Sequence, residues 1–88
     1  MAAMKLSGRL YQGNHLWRSA QIEQVGDDFH QTMTEALLAL CRELHTPLPL
    51  WLPKNSREIA RFRQTIFTPE QFDEEVAFDR FHLYFEEP

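Results

Sequence analysis

DFHQTMTEALLALCRELHT, residues 28–46, is the stretch that decides the fold. Phe29, Met33, Ala36, Leu37, Leu40, Cys41 and Leu44 recur at helical spacing and form one apolar stripe. Thr32, Glu35, Arg42 and Glu43 fall on the other side. So one-sided a helix has little stability alone and must lie against an apolar surface supplied by the flanking chain. Asp28 is the expected N-cap, with Gln31 three residues on in a capping-box arrangement. Asp27 adds negative charge where the helix dipole favours it. At the far end His45 sits beside the last carbonyls, and Pro47 bars continuation.

Upstream, Met4 to Tyr11 and His15 to Val25 alternate as two strands around Gly13-Asn14. A two-residue turn would pair Leu10 with Trp17 and Leu6 with Gln21, mixing the faces. A three-residue loop, Gln12-Gly13-Asn14, pairs Leu10 with Leu16, Leu6 with Ala20 and Met4 with Ile22, and gathers the aliphatic residues on one face. The longer loop is therefore expected, with Asn14 in the left-handed conformation. Arg18 then lies opposite Gly8 on the aliphatic face, where its stem covers apolar atoms and its head pairs with a carboxylate of the acidic C-terminal segment. A ligand-binding role is the alternative for Arg18. Arg9, Tyr11 and Trp17 point to the other face.

Downstream, prolines at 47, 49 and 53 forbid helix through Pro47–Pro53 and make it an extended strap. Leu48, Leu50 and Leu52 are expected on a common side against the core, with Trp51 free to serve a partner. A second helix, Ser56 to Thr65, follows, capped by Asn55 or Ser56 with Glu58 completing the box. Ile59, Phe62 and Ile66 are its inner stripe. Thr68-Pro69-Glu70-Gln71 repeats the helix-start signature for a short turn through Phe72. Val76 to Phe85 is the closing strand, with Phe81, Leu83 and Phe85 on one side and Phe78, His82 and Tyr84 on the other. The expected fold is a single small α+β domain over residues 1–88, in the order ββααβ. Its three-stranded, mainly antiparallel sheet packs on one long helix beside a second, shorter one.

Composition narrows the function classes. At 43% hydrophobic and 25% charged, the chain belongs with soluble globular proteins and not with disordered ones. Its apolar runs are too short and Pro-broken for a bilayer span. MAAMKLSG lacks the apolar core of a signal peptide, and the lone Cys41 excludes an internal disulfide framework, so a cytoplasmic location is expected. The net charge of −4 hides an asymmetry. Lys54, Arg57, Arg61 and Arg63 face Glu58 alone within 51–67, whereas Glu70, Asp73, Glu74, Glu75, Asp79, Glu86 and Glu87 face Arg80 alone within 68–88.

No constellation of reactive groups stands out, and no enzymatic function is expected. Gly8, Gly13 and Gly26 are isolated from one another, so no phosphate loop forms, and no Ser has a nucleophile-elbow context. Cys41 and His45 are four apart, but two ligands do not make a metal site, and Cys41 belongs to the apolar stripe. No metal or cofactor is expected. What remains is aromatic supply: seven Phe, two Tyr and two Trp, more than one helix over one sheet face can bury. The expected function is non-catalytic protein binding or homo-oligomerisation through Tyr11, Trp17, Trp51, Phe78, His82 and Tyr84. Nucleic-acid binding through Lys54, Arg57, Arg61 and Arg63 is the alternative.

Overall fold

The computed structural model describes residues 2–86. It is a small α+β arrangement in which two helices lie on one side of a four-stranded antiparallel sheet. The strands are β1 (Ala2–Gln12), β2 (His15–Gly26), β3 (Gln64–Phe67) and β4 (Arg80–Glu86), in spatial order β2-β1-β4-β3. The helices are α1 (Phe29–Leu44), which lies over β1 and β2, and α2 (Pro53–Phe62), which lies over β3. The core is one cluster between sheet and helices, built on Met4, Leu6, Leu10, Leu40, Leu44, Phe67, Phe81 and Leu83.

α1 forms where its apolar period places it. Asp28 caps it, its carboxylate accepting from the backbone amides of His30 and Gln31, while the Gln31 side chain turns to Glu35 and leaves the box open. The helix ends on His45, whose left-handed backbone (φ 54°) directs its amide to the Arg42 carbonyl as Thr46 closes on Cys41. Thr32, expected outside, is buried beneath Gly26, and Phe29, expected inside, is 47% exposed.

The hairpin corrects the expected loop and keeps the expected faces. The turn is two residues, Gly13-Asn14, with Gly13 and not Asn14 at positive φ (59°). A bulge at Trp17 then shifts the register, so Leu6 pairs with Ile22, Gly8 with Ala20 and Leu10 with Arg18. One extra residue in the strand restores the face alternation that a longer loop would have secured. Arg18 accordingly shares the inner face, but its guanidinium donates to the Leu44 carbonyl (3.0 Å) at the end of α1, not to the acidic segment, and stacks on Trp17 at 4.0 Å.

The third expected strand is a fourth. α2 starts earlier than expected, with Leu52 as N-cap, Pro53 at its first turn, and Asn55, not Glu58, returning its side chain to the Leu52 amide (2.9 Å). It ends at Arg63 (φ 59°), which leaves Gln64–Phe67 to pair antiparallel with β4. Phe62, expected inside, is 60% exposed, and Ile66 sits on a strand, not a helix. β4 begins only at Arg80, so Phe78 precedes it and is buried among Phe72 and Phe81. The strap is also inverted: Pro49 is buried and Trp51 half-buried against Phe67 (5.7 Å), while Leu48 and Leu50 face solvent.

Candidate functional site

Both helices use the same side of the sheet, so cross-strand register fixes what the other side presents. Lys5, Ser7, Arg9 and Tyr11 of β1 face Glu86, Tyr84, His82 and Arg80 of β4 in turn. Gln64 and Ile66 of β3 extend that row beside Tyr84 and His82, and Ser19, Gln21, Glu23 and Val25 continue it on β2. The open face therefore has two halves. The β2 half is mainly short and polar, whereas the β1–β4–β3 half is aromatic and cationic.

Within the second half the side chains interlock. Tyr11 and His82 have ring centroids 4.9 Å apart, and His82 and Tyr84 are 6.1 Å apart with Nδ1 of His82 3.2 Å from the Tyr84 hydroxyl. The Arg9 guanidinium lies 5.1 Å over the Tyr84 ring, and that of Arg80 lies 4.8 Å over Tyr11. Arg80 also donates to the Gly13 carbonyl (2.9 Å), which ties the cluster to the hairpin tip. The Gly13 amide in turn donates to the Asp79 carboxylate, and the Asp79 amide donates to the Tyr11 carbonyl (2.7 Å). The result is a chain of contacts, Arg80 to Tyr11 to His82 to Tyr84 to Arg9, that doubles back on itself because Arg9 stands opposite His82.

The electrostatics follow from this packing. Hydrogen bonding to Tyr11 and the charge of Tyr84 hold the Arg9 guanidinium above its usual pKa. Burial, then the charges of Arg80 and Arg9, hold His82 below the usual imidazole range, so the ring is neutral at pH 7. Its Nε2 is buried with no hydrogen-bond partner among the described residues. With the imidazole neutral, the positive charge of this cluster lies on Arg9, opposite His82, and on Arg80, opposite Tyr11.

The structure thus groups three of the six aromatic candidates and separates the rest. Tyr11, His82 and Tyr84 share the open face. Trp17 packs on the core side at the bulge, Trp51 donates from Nε1 to Ser56 (2.7 Å) against the core, and Phe78 is buried. Of the basic candidates, Arg57 and Arg61 are exposed and one turn apart on α2 and Lys54 is half-buried at its first turn. Arg63 lies beyond the helix with its guanidinium 5.6 Å over Phe85. The sequence-based reading missed Arg80, and it placed Arg9 on the right face without giving it a role. Alternation with Tyr11 along β1, and with His82 and Tyr84 along β4, was the available signal.

Cys41 lies in the core, where burial pushes its thiol up to about 12. Among the described residues no group of three or more His, Cys, Asp or Glu side chains is placed to hold a metal ion. No helix among them is long and apolar enough to cross a membrane. Comparison with protein-family models, curated proteins and solved structures returns no match.

Proposed function

We propose that this is a non-catalytic protein-interaction domain whose open sheet face receives an acidic surface of another protein. The observation that supports the reading is the Arg80–Tyr11–His82–Tyr84–Arg9 row: two guanidinium groups fixed on tyrosine rings, with Ile66 38% exposed beside them. Tyr and Arg are the residue types that concentrate binding energy at interfaces. Here the stacking has already restricted their rotamers, which lowers the entropy lost on association. Each guanidinium has five N–H donors in a fork that matches carboxylate geometry.

Two other occupants fit less well. A second copy meeting this face about a two-fold axis through the row would bring the arginine row against itself, which like charge opposes. Single-stranded nucleic acid needs uncovered ring faces for base stacking, and here both tyrosine rings carry a guanidinium. Arg57 and Arg61 on α2 keep nucleic acid as the competing reading.

The test is paired capture from the native host with wild type, Arg9→Glu/Arg80→Glu and Arg57→Glu/Arg61→Glu, each with nuclease treatment and light scattering for mass. An acidic protein held by wild type, lost by the sheet-face double variant and retained by the helix variant is expected. Binding lost only with the helix variant, or with nuclease, would overturn the proposal, and so would a dimer mass abolished by the sheet-face variant without any captured partner.

A further inference from the structure

The sheet has two edges, and they differ. β3 offers four residues, whereas β2 runs for twelve with no strand beyond it among the described residues. Long edges invite pairing with another chain and are commonly blunted by proline, lysine, a bulge or an inward charge. β2 contains neither proline nor lysine, and its bulge sits near one end, at Trp17. Its inward charge, Arg18, is tied back to the Leu44 carbonyl (3.0 Å). The bulge leaves Trp17 out of the ladder and gives β2 eleven ladder positions, of which Gln21 is the middle one.

Positions equidistant from Gln21 match in character. Ala20 and Ile22 flank it on the helix side, and Ser19 and Glu23 come next on the open face. Arg18 and Gln24 follow on the helix side, then Leu16 and Val25 on the open face, where they are 44% and 54% exposed. Without the bulge Leu16 would lie on the helix side, and its match with Val25 would be lost.

We propose that β2 pairs antiparallel with β2 of a second copy about a two-fold axis through Gln21, joining the two sheets into one. Ala20 then meets Ile22, and Leu16 meets Val25, twice each, so the exposed aliphatic residues at both ends of the strand are covered together. Ser19 meets Glu23, and Gln21 meets its own copy, polar against polar. Arg18 meets Gln24, whose amide donates to Glu35 (3.3 Å), so a guanidinium of one copy approaches a carboxylate of the other. Moving the axis by one position opposes Ile22 to Arg18 or Val25 to Ser19. Moving it by two opposes Glu23 to itself or Leu16 to Gln21. Apolar matching and charge therefore select the same symmetric register. A second copy supplies that symmetry of necessity, and a strand of another protein only by coincidence. A paired edge of this kind is smaller than a standard interface, so the association should depend on concentration.

The test is mass by light scattering across a concentration series for wild type, Leu16→Glu/Val25→Glu and Leu16→Lys/Val25→Lys. Both positions are exposed, and urea midpoints near that of wild type establish that the variants fold. Wild type is expected to pass from the mass of one chain to twice that mass as concentration rises. Each double variant alone should dimerise at least about tenfold more weakly, because like charges oppose at both ends of the strand. An equimolar mixture of the two should recover the dimer, because every Lys then faces a Glu. A mixture of Val25→Glu with Val25→Lys, in which neither charge faces the other, should not. Charged double variants that dimerise like wild type, or a mixture of them that stays monomeric, would overturn the proposal. So would a wild type that stays monomeric throughout, whether or not this edge captures a different protein.

Discussion

Asn55 is the residue on which the strap, α2 and β3 converge, and its removal should be costly. Its side chain is fully buried. Its oxygen accepts from the Leu52 amide (2.9 Å) and from Gln71 Nε2 (3.1 Å), and its amide donates to Thr65 Oγ1 (2.7 Å). Truncation to alanine does not orphan all three partners. Gln71 Nε2 keeps the Leu50 carbonyl, and Thr65 still donates to Glu58. The Leu52 amide is left without this acceptor at the start of α2, a penalty of about 1–3 kcal/mol, and two further bonds and some packing are lost. Asn55→Ala should therefore cost about 3–5 kcal/mol out of about twice that for a chain of this length. With a urea slope near 1–1.5 kcal/mol/M, the midpoint should fall by about 2 M or more at unchanged slope. Thr65→Val removes the partner from the other side, and the double variant should be less damaging than the sum by about 1 kcal/mol. A midpoint within 0.5 M of wild type for Asn55→Ala, or strict additivity in the cycle, would refute the account of this network as the clamp on the strap.

Four further outcomes follow from the geometry. A Cβ at Gly8 would stand 2.9 Å from Leu44 Cδ1, 3.0 Å from Leu40 Cδ2 and 3.1 Å from Phe81 Cε1; Gly8→Ala should destabilise by about 1–2 kcal/mol through overpacking, read from urea midpoints. His45→Gly removes the Cβ penalty of a left-handed cap (φ 54°) and should add about 1 kcal/mol, visible as a rise in Tm of several degrees. Because the folded pKa of His82 is lowered, the unfolded chain binds more protons below the ordinary value of 6.5. Stability is thus fully present above that pH and lost as pH falls towards the folded pKa, and His82→Gln should flatten this dependence in urea titrations between pH 7.5 and 5. Burial pushes Cys41 up to about 12, so a thiol reagent should label it only in denaturant, and labelling of the native chain at pH 8 would contradict the packing of α1.

Much of the architecture is legible because it rests on period. The 3.6-residue stripe of α1 and the two-residue alternation of β1 and β2 identify the buried faces, and Phe81, Leu83 and Phe85 point inward as their alternation requires. What failed to show was decided by single residues or by neighbours in space. The bulge at Trp17 satisfies the same facial pattern as a longer loop, so pattern alone cannot separate them. β3 is only four residues and follows α2 after a single residue, Arg63, in a conformation that no residue type there advertises. Its pairing depends on β4, fourteen or more positions away. The strap inverted because Gln71 bonds both the Leu50 amide (2.6 Å) and the Leu50 carbonyl (3.0 Å), which turns Pro49 and Trp51 inward. The candidate site was half legible: alternation puts Tyr11, His82 and Tyr84, and Arg9 and Arg80 with them, on one face, whereas which ring each arginine stacks on follows from register.

The two halves of the open face discriminate between a sheet side that merely tolerates water and one shaped for contact. An antiparallel sheet needs only polar residues on its solvent face, and Ser19, Gln21 and Glu23 on β2 meet that need. Nothing in folding requires the other half to carry rings under guanidinium groups. The five-member row contributes little to a core on the far side of the backbone, and it holds Arg9 and Arg80 in fixed positions at the cost of their rotamer freedom. Charge fixed in advance is of use to a ligand that would otherwise have to fix it on arrival. The groove between α1 and α2 differs in kind, because its apolar walls are continuous with the core. Filling the groove at Ala60 should accordingly leave capture of an acidic partner at the sheet face intact.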